Sequence, residues 1–281
     1  MIRPPPGRLR ILPALGEGIR LAFARIFVAW PVAFAASLVP LATEQGWARL
    51  SMQFPVVESR LVARGIQTGE HLWSMTLPPL LAASLLAGSI VRMRRRRPLD
   101  VGRSLVAGLR SAATPILLAA ALSVISGLLG SLVDATSVGT GSPGFLVFNF
   151  VWLLCYVAVL ARVAVAPVVA AQERLSCTAA CRRSMALLAG HTWRMMGLVF
   201  CALLSWTILF RGLVCGVLLA SVLPALRSPD ISVSPLSDAF ILAEVDATCT
   251  VFVAVVLIVV FDRARELREG MPIDELEQTF A

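Results

Sequence analysis

Six long apolar runs divide this chain, and they constrain its fold more than any other feature. A helix that crosses a bilayer needs about 20 mostly apolar residues, because the hydrocarbon offers its backbone no hydrogen-bond partners. Hydrophobic residues make up 58% of the chain and charged residues only 15%, against about 25% charged residues in an average soluble domain. We therefore predict an all-α polytopic integral membrane protein. Its six transmembrane helices are expected over residues 26–42, 75–91, 112–133, 145–169, 195–223 and 239–261.

The arginines predict how these spans are oriented. The chain has 25 basic and 17 acidic residues, and every basic residue is an arginine. With a cytoplasmic N-terminus, 19 arginines lie in inner segments and 4 in outer loops, as the positive-inside rule requires. This pattern predicts a six-span membrane domain (1–262) and a short cytoplasmic tail (263–281), with both termini inside. Exclusive use of arginine is typical of a GC-rich bacterial genome, so the bacterial inner (plasma) membrane is the expected location.

Three of the six spans follow an amphipathic stretch. At about 100° per residue, Leu105 and Leu109 fall on one face of a helix, while Arg103 and Arg110 fall on the opposite face. Such a helix is expected to lie on the inner membrane surface. A similar stretch precedes the first span, and a less regular one precedes the fifth.

The three amphipathic stretches recur at a regular spacing. They can be aligned at Gly18, Ser104 and Ser184, which are 86 and then 80 residues apart. One interpretation is a threefold repeat of surface helix, span, loop and span, since internal repeats are common in membrane folds. The alternative is that any span with a basic inner flank shows this pattern.

The segment 180–194 carries the most distinctive motif, and it leads directly into a span. Its matching positions are Arg183, Ser184, Gly190, His191, Trp193 and Arg194. It resembles a motif of the glycerophosphoryl diester phosphodiesterase membrane domain and of related uncharacterised six-span bacterial membrane proteins. The resemblance implies the six-span fold. It does not extend to phosphodiesterase activity, because that belongs to a fused catalytic domain, and a barrel of about 250 residues has no room here.

Ionisable residues inside spans are candidates for function. Arg211 lies in the fifth span, and Glu244 and Asp246 lie near the outer end of the sixth. Antiparallel neighbours would bring these groups together in the outer leaflet. They form either a polar site for a lipid headgroup, an ion or a solute, or an ion pair that locks two helices together.

A second candidate is a run of arginines after the second span. Its members, with two arginines of the following amphipathic stretch, are Arg92, Arg94, Arg95, Arg96, Arg97, Arg103 and Arg110. These side chains could bind anionic lipid, at about 1 kcal/mol for each arginine near the surface. The alternative is a purely topogenic signal. Because the arginines flank apolar runs, membrane lipids are the expected partner and nucleic acid is not.

The sequence predicts no catalytic, cofactor-binding or metal-binding residue. It has no phosphate-binding Gly-rich loop, nucleophile elbow or zinc-protease helix motif. The two histidines, His71 and His191, fall on opposite sides of the predicted membrane. Cys177 and Cys181 share a helix face but lack a third ligand.

Two functions therefore stay open. The first is a non-enzymatic inner-membrane protein that organises or regulates lipids or partner proteins through its cytoplasmic face or tail. The alternative is a transporter or lipid-handling protein with a polar intramembrane site. A membrane enzyme is a third class and the least expected, because catalytic constellations are absent from the sequence.

Overall fold

Every regular element in the described part of the chain is a helix, so the predicted all-α class is confirmed. The computed structural model describes residues 11–24, 26–53, 60–94, 101–135, 143–201, 204 and 235–269. The helices are α1 (Ile11–Ala24), α2 (Ile26–Gln53), α3 (Arg60–Arg94), α4 (Val101–Arg110), α5 (Ala113–Ala135), α6 (Pro143–Val163), α7 (Ala166–Glu173), α8 (Cys177–Leu188), α9 (192–201) and α10 (Pro235–Glu269).

Several of these helices are long and apolar enough to cross a membrane. Within the described residues, three segments meet that criterion, namely Leu72–Arg92, Phe150–Glu173 and Asp246–Glu269. Two bent pairs, α1 with α2 at 94° and α4 with α5 at 47°, raise the number to five if each pair is one span. The chain is therefore built as a membrane-embedded protein. Most of the predicted fifth span lies outside the described residues.

Helix α3 lies at the centre of the bundle, against α2, α5 and α10. Small side chains line part of these contacts, since Ala82, Ala83 and Ala87 are fully buried among larger residues such as Leu77, as is Ala33 on α2. In lipid, helix pairs gain little from the hydrophobic effect and depend on close packing. Small residues permit that approach, which explains why an alanine-rich sequence forms a tight bundle.

The predicted fourth span is interrupted. Helix α6 ends at Val163, a turn occupies residues 164–165, and α7 continues from Ala166 to Glu173. Pro167 lies in the first turn of α7. It has no N–H group, and its ring would clash with the Val163 carbonyl in a continuous helix. The proline therefore converts one predicted helix into two consecutive helices.

Helix α4 packs on α3 through small polar residues. The Ser104 hydroxyl donates a hydrogen bond to the Leu85 carbonyl at 3.0 Å and accepts one from the Ser89 N–H at 2.9 Å. A Cβ atom added to Gly108 would lie only 2.5 Å from the Leu85 Cα atom. The two backbones therefore touch, and Leu109 on the other side of α4 is left 64% exposed.

Helices α1 and α8 are attached in a related way. A Cβ atom added to Gly18 of α1 would lie 2.9 Å from Val256 Cγ2 of α10. On α8, the buried Ser184 hydroxyl donates a hydrogen bond of 2.7 Å to the Arg162 carbonyl near the end of α6. We call the face formed by α1, α4, α8 and the carboxyl-terminal ends of α3, α7 and α10 the surface-helix face.

Candidate functional site

Arg183 is the centre of an ionic cluster on the surface-helix face. Its guanidinium donates a hydrogen bond from Nε to Glu173 Oε2 at 3.2 Å and also contacts Glu269 Oε1. Glu173 ends α7 and Glu269 ends α10. A planar guanidinium can bind two carboxylates at once, so one side chain of α8 joins the ends of two other helices.

The last turn of α10 is held against the turn that follows α8. Arg265 Nε donates a hydrogen bond to Glu269 Oε2 at 2.8 Å, which orients Glu269 toward Arg183. Arg268 donates a hydrogen bond to the Ala189 carbonyl. These contacts place the end of α10 beside the turn between α8 and α9.

Helix α1 joins the same face through a second ion pair. Arg263 lies 3.0 Å from a carboxylate oxygen of Glu17 on α1 and 3.5 Å from one of Glu266 on its own helix. Exposed pairs of this kind contribute about 0–1 kcal/mol each. Their main effect is therefore to orient α1 and α10 relative to each other.

The turn between α8 and α9 projects two large side chains outward. Gly190 takes φ +84°, a left-handed backbone conformation that residues with a side chain rarely adopt. After this turn, Trp193 is 79% exposed and Arg194 is exposed. An exposed tryptophan beside an arginine fits a membrane interface or a binding surface.

The pKa of His191 is affected by the charged residues around this turn. Burial lowers the pKa of its imidazole, and the positive charges of Arg194 and Arg268 lower that pKa further. A histidine with a lowered pKa is neutral at pH 7. Arg194 and Arg268 therefore bring positive charge close to the ring, although His191 itself is uncharged.

The structure separates the residues of the distinctive motif into two groups. Arg183 and Ser184 face other helices and hold α8 in place. Trp193 and Arg194 point outward. The sequence did not predict that Glu269 would meet Arg183, because the two are far apart in the chain and neither is in a span.

The predicted arginine run is described in part. Arg92 is half-buried at the end of α3, and Arg103 and Arg110 are exposed on α4. Arg94 lies in the last turn of α3, whereas Arg95, Arg96 and Arg97 lie outside the described residues. The described members therefore reach the surface-helix face from two helices, α3 and α4.

The predicted intramembrane site is also described only in part. Asp246 is half-buried on α10, and its carboxyl lies beside Ser37 of α2. Thr250, one turn further along α10, is fully buried, and its hydroxyl has no hydrogen-bond partner among the described residues. Arg211 lies outside the described residues, and Glu244 is placed only as a position on α10.

The described part of the chain contains no group of three or more histidine, cysteine, aspartate or glutamate side chains that could hold a metal ion. Cys177 and Cys181 on α8 form a pair only. Burial raises the pKa of the Cys181 thiol to about 11, and the neighbouring Cys177 raises it as well. A thiol with a pKa raised in this way is protonated at pH 7.

Comparison of the chain with protein-family models, curated proteins and solved structures finds no match. The function must therefore be inferred from the surface-helix face and the intramembrane groups themselves.

Proposed function

We propose that this protein is a non-enzymatic, six-span protein of the bacterial inner membrane that organises anionic lipid at its cytoplasmic surface. The surface-helix face is the cytoplasmic side, and both termini lie there. The arginine distribution supports this orientation, because most arginines flank the inner ends of the spans.

A threefold repeat underlies this face in the proposed architecture. Gly18, Ser104 and Ser184 occupy the same repeat position. Gly18 of the first unit lies against α10 of the third unit. Ser104 of the second unit lies against α3 of the first, and Ser184 of the third unit lies against α6 of the second. The contact between α1 and α10 thus completes a cyclic set of contacts among the three proposed units. This common attachment favours a true repeat over three unrelated basic flanks.

One observation carries the lipid-binding function. Each surface helix is fixed to the bundle by a small residue, and large apolar side chains stay exposed around it together with arginines. The exposed apolar residues include Phe23 (64%) on α1, Leu109 (64%) on α4 and Met185 (41%) on α8. A helix with this composition lies at a lipid interface, with its arginines at the level of the anionic headgroups.

Thermal unfolding in mild detergent tests this function directly. Addition of phosphatidylglycerol should raise the Tm of the protein, because a ligand that binds only the folded state stabilises it. Phosphatidylcholine should have little effect. The variant Arg103→Gln/Arg110→Gln should lose most of the phosphatidylglycerol response.

The variant Arg103→Lys/Arg110→Lys is the matched control, since it keeps the charge and removes the planar guanidinium. Partial retention of the response would indicate charge attraction, and complete loss would indicate bidentate headgroup binding. An equal response to both lipids in the unmodified protein would exclude the proposed function.

The alternative function is transport or lipid handling through an intramembrane polar site. The observation that favours it is the group of Asp246, Ser37 and the buried Thr250 hydroxyl between α2 and α10. An aqueous path to this group should let a water-soluble maleimide react with the adjacent Cys249 in the folded protein. An inert Cys249, reactive only after denaturation, would indicate a packed bundle and support the first function.

A further inference from the structure

Two buried hydroxyls on α2 and α10 depart from the usual pattern of a membrane helix. A serine or threonine buried in an apolar helix ordinarily donates its hydroxyl to the main-chain carbonyl one turn earlier. Ser126 of α5 does so, with a hydrogen bond of 2.7 Å to the Leu122 carbonyl. Ser37 of α2 and Thr250 of α10 are buried as deeply, at 3% and 0% exposure, but neither hydroxyl has a hydrogen-bond partner among the described residues. Both oxygen atoms are therefore available to a ligand.

A carboxyl group lies at the same place. The Asp246 carboxyl of α10 lies beside the Ser37 hydroxyl, although the two do not form a hydrogen bond of ordinary geometry. Thr250 is four residues after Asp246, so the two side chains share one face of α10, about 6 Å apart along its axis. One carboxyl and two hydroxyls are thus brought together where α2 packs on α10.

Helix α2 supplies a fourth oxygen atom at this level. Pro40 lies inside α2 and is buried. Because proline has no N–H group, it cannot donate a hydrogen bond to the Ala36 carbonyl one turn earlier. Ala36 is the neighbour of Ser37 and is 1% exposed. Main-chain carbonyls that lack their helical donor coordinate Na⁺ in several membrane transporter folds, so this carbonyl is a suitable further ligand.

The charge of the group selects the class of ligand. All four groups offer oxygen atoms, which hard cations prefer. An ionised carboxylate in a lipid-embedded contact requires a compensating positive charge. A monovalent cation compensates one carboxylate completely, whereas Mg²⁺ or Ca²⁺ would leave a buried positive charge and ordinarily takes further carboxylates or waters. A small monovalent cation therefore fits this group best.

We propose that Na⁺ binds between α2 and α10 and links the two helices. Its ligands are the oxygen atoms of Asp246, Ser37, Thr250 and Ala36. Asp246 is 23 residues before Glu269, or about 35 Å along α10, so this site is distant from the surface-helix face. The cation site therefore goes beyond the proposed organisation of lipid and does not depend on it.

Thermal unfolding in neutral detergent tests the site at one alkaline pH, which favours the ionised carboxylate. Choline chloride replaces NaCl stepwise, so that the ionic strength stays constant. We expect Na⁺ to raise the Tm of the protein in a saturable manner, because a ligand that binds only the folded state stabilises it. Choline is too large for the site and should have no such effect. Equal Tm values in the two salts would overturn the proposal, since a proton or Arg211 would then neutralise the carboxylate.

Two variants and a matched control assign the response to this site. Asp246→Asn keeps the shape of the side chain, removes its charge and should abolish the response to Na⁺. Ser37→Ala should raise the half-saturating Na⁺ concentration at least about tenfold, since even the outer partners of a metal site change its affinity by that factor. Ser126→Ala makes the same change at a buried serine of α5 and should leave that concentration unchanged. A full response in Asp246→Asn, or equal shifts in the two Ser→Ala variants, would contradict the assignment.

A direct binding measurement separates this proposal from the proposed lipid function. Radioactive Na⁺ bound to the full-length protein, measured by scintillation proximity without added phosphatidylglycerol, should be displaced by unlabelled NaCl and not by choline chloride. The Tm response to phosphatidylglycerol is measured separately, in choline chloride. Absence of displaceable Na⁺ overturns the cation site alone, and absence of the phosphatidylglycerol response overturns the lipid function alone.

Discussion

The Ser184 hydroxyl of α8 donates a hydrogen bond to the main-chain carbonyl of Arg162, 2.7 Å away, and Ser184 is fully buried. The acceptor lies in the last turn of α6, just before the turn that Pro167 imposes on the chain. A carbonyl near a helix end is poorly satisfied by its own helix. The serine thus completes the hydrogen bonding of one helix while it fixes the position of another.

Replacement of this serine should weaken the attachment of α8. Ser184→Ala leaves the Arg162 carbonyl without its side-chain donor, which costs about 1–2 kcal/mol for a buried group. We expect a lower free energy of unfolding, measured by denaturant titration in detergent. Ser176→Ala is the control, because Ser176 is exposed and its side chain makes no capping hydrogen bond. Equal losses in both variants would contradict the role assigned to Ser184.

The two glycines of α1 allow a paired test of its contact with α10. A Cβ atom at position 18 would lie 2.9 Å from Val256 Cγ2 and 3.2 Å from Val256 Cα, whereas one at position 16 meets no atom within 4 Å. Gly18→Ala should therefore destabilise the protein by about 1–3 kcal/mol through overpacking.

Gly16→Ala should instead stabilise the protein by roughly 0.5–1 kcal/mol, since alanine favours a helix more than glycine does. The same denaturant titration compares the two variants directly. Stabilisation by both substitutions would mean that α1 is not packed closely on α10.

The periodicity of the apolar residues and the amino-acid composition are sufficient to predict the all-helical, membrane-embedded class. Both depend directly on which residues must face lipid. The alignment of Gly18, Ser104 and Ser184 also identifies three residues that lie at helix contacts. The break at residues 164–165 was not predicted, although Pro167 is a visible signal for it. The contact between Arg183 and Glu269 could not be predicted, because charge patterns do not specify which distant segments meet.

The predicted polar intramembrane site shows the same limit. The sequence identifies Asp246 as a charged residue in an apolar run, but its neighbour Ser37 is an ordinary serine of another helix. Only the packing of α2 on α10 brings the two together. The predicted pairing with Arg211 stays a prediction, since Arg211 lies outside the described residues.

The thiol of Cys181 should react slowly with alkylating reagents. Burial raises its pKa from 9.0 to about 11, with a further contribution from Cys177. Since the thiolate is the reactive form, two pKa units lower its fraction at pH 8 about 100-fold. Mass spectrometry after iodoacetamide treatment should show that modification of Cys181 accelerates as the pH rises toward 11. Rapid modification at pH 8 in folded protein would contradict the assignment.

The last prediction concerns the charge around His191. Its pKa is lowered first by burial and then by Arg194 and Arg268. Because a lowered pKa favours the neutral imidazole, we expect His191 to take up its proton only at a pH below the usual value of about 6.5. Removal of one positive charge by Arg194→Gln should move that pKa upward, but not fully to its ordinary value, since the larger effect of burial remains.

The substitution His71→Gln leaves one histidine in the chain, so the imidazole protons of His191 can be followed alone by NMR during a pH titration. Arg103→Gln on α4 is the control and should leave the titration unchanged. A downward shift in Arg194→Gln, or an equal upward shift in Arg103→Gln, would show that the local positive field does not come from the turn between α8 and α9.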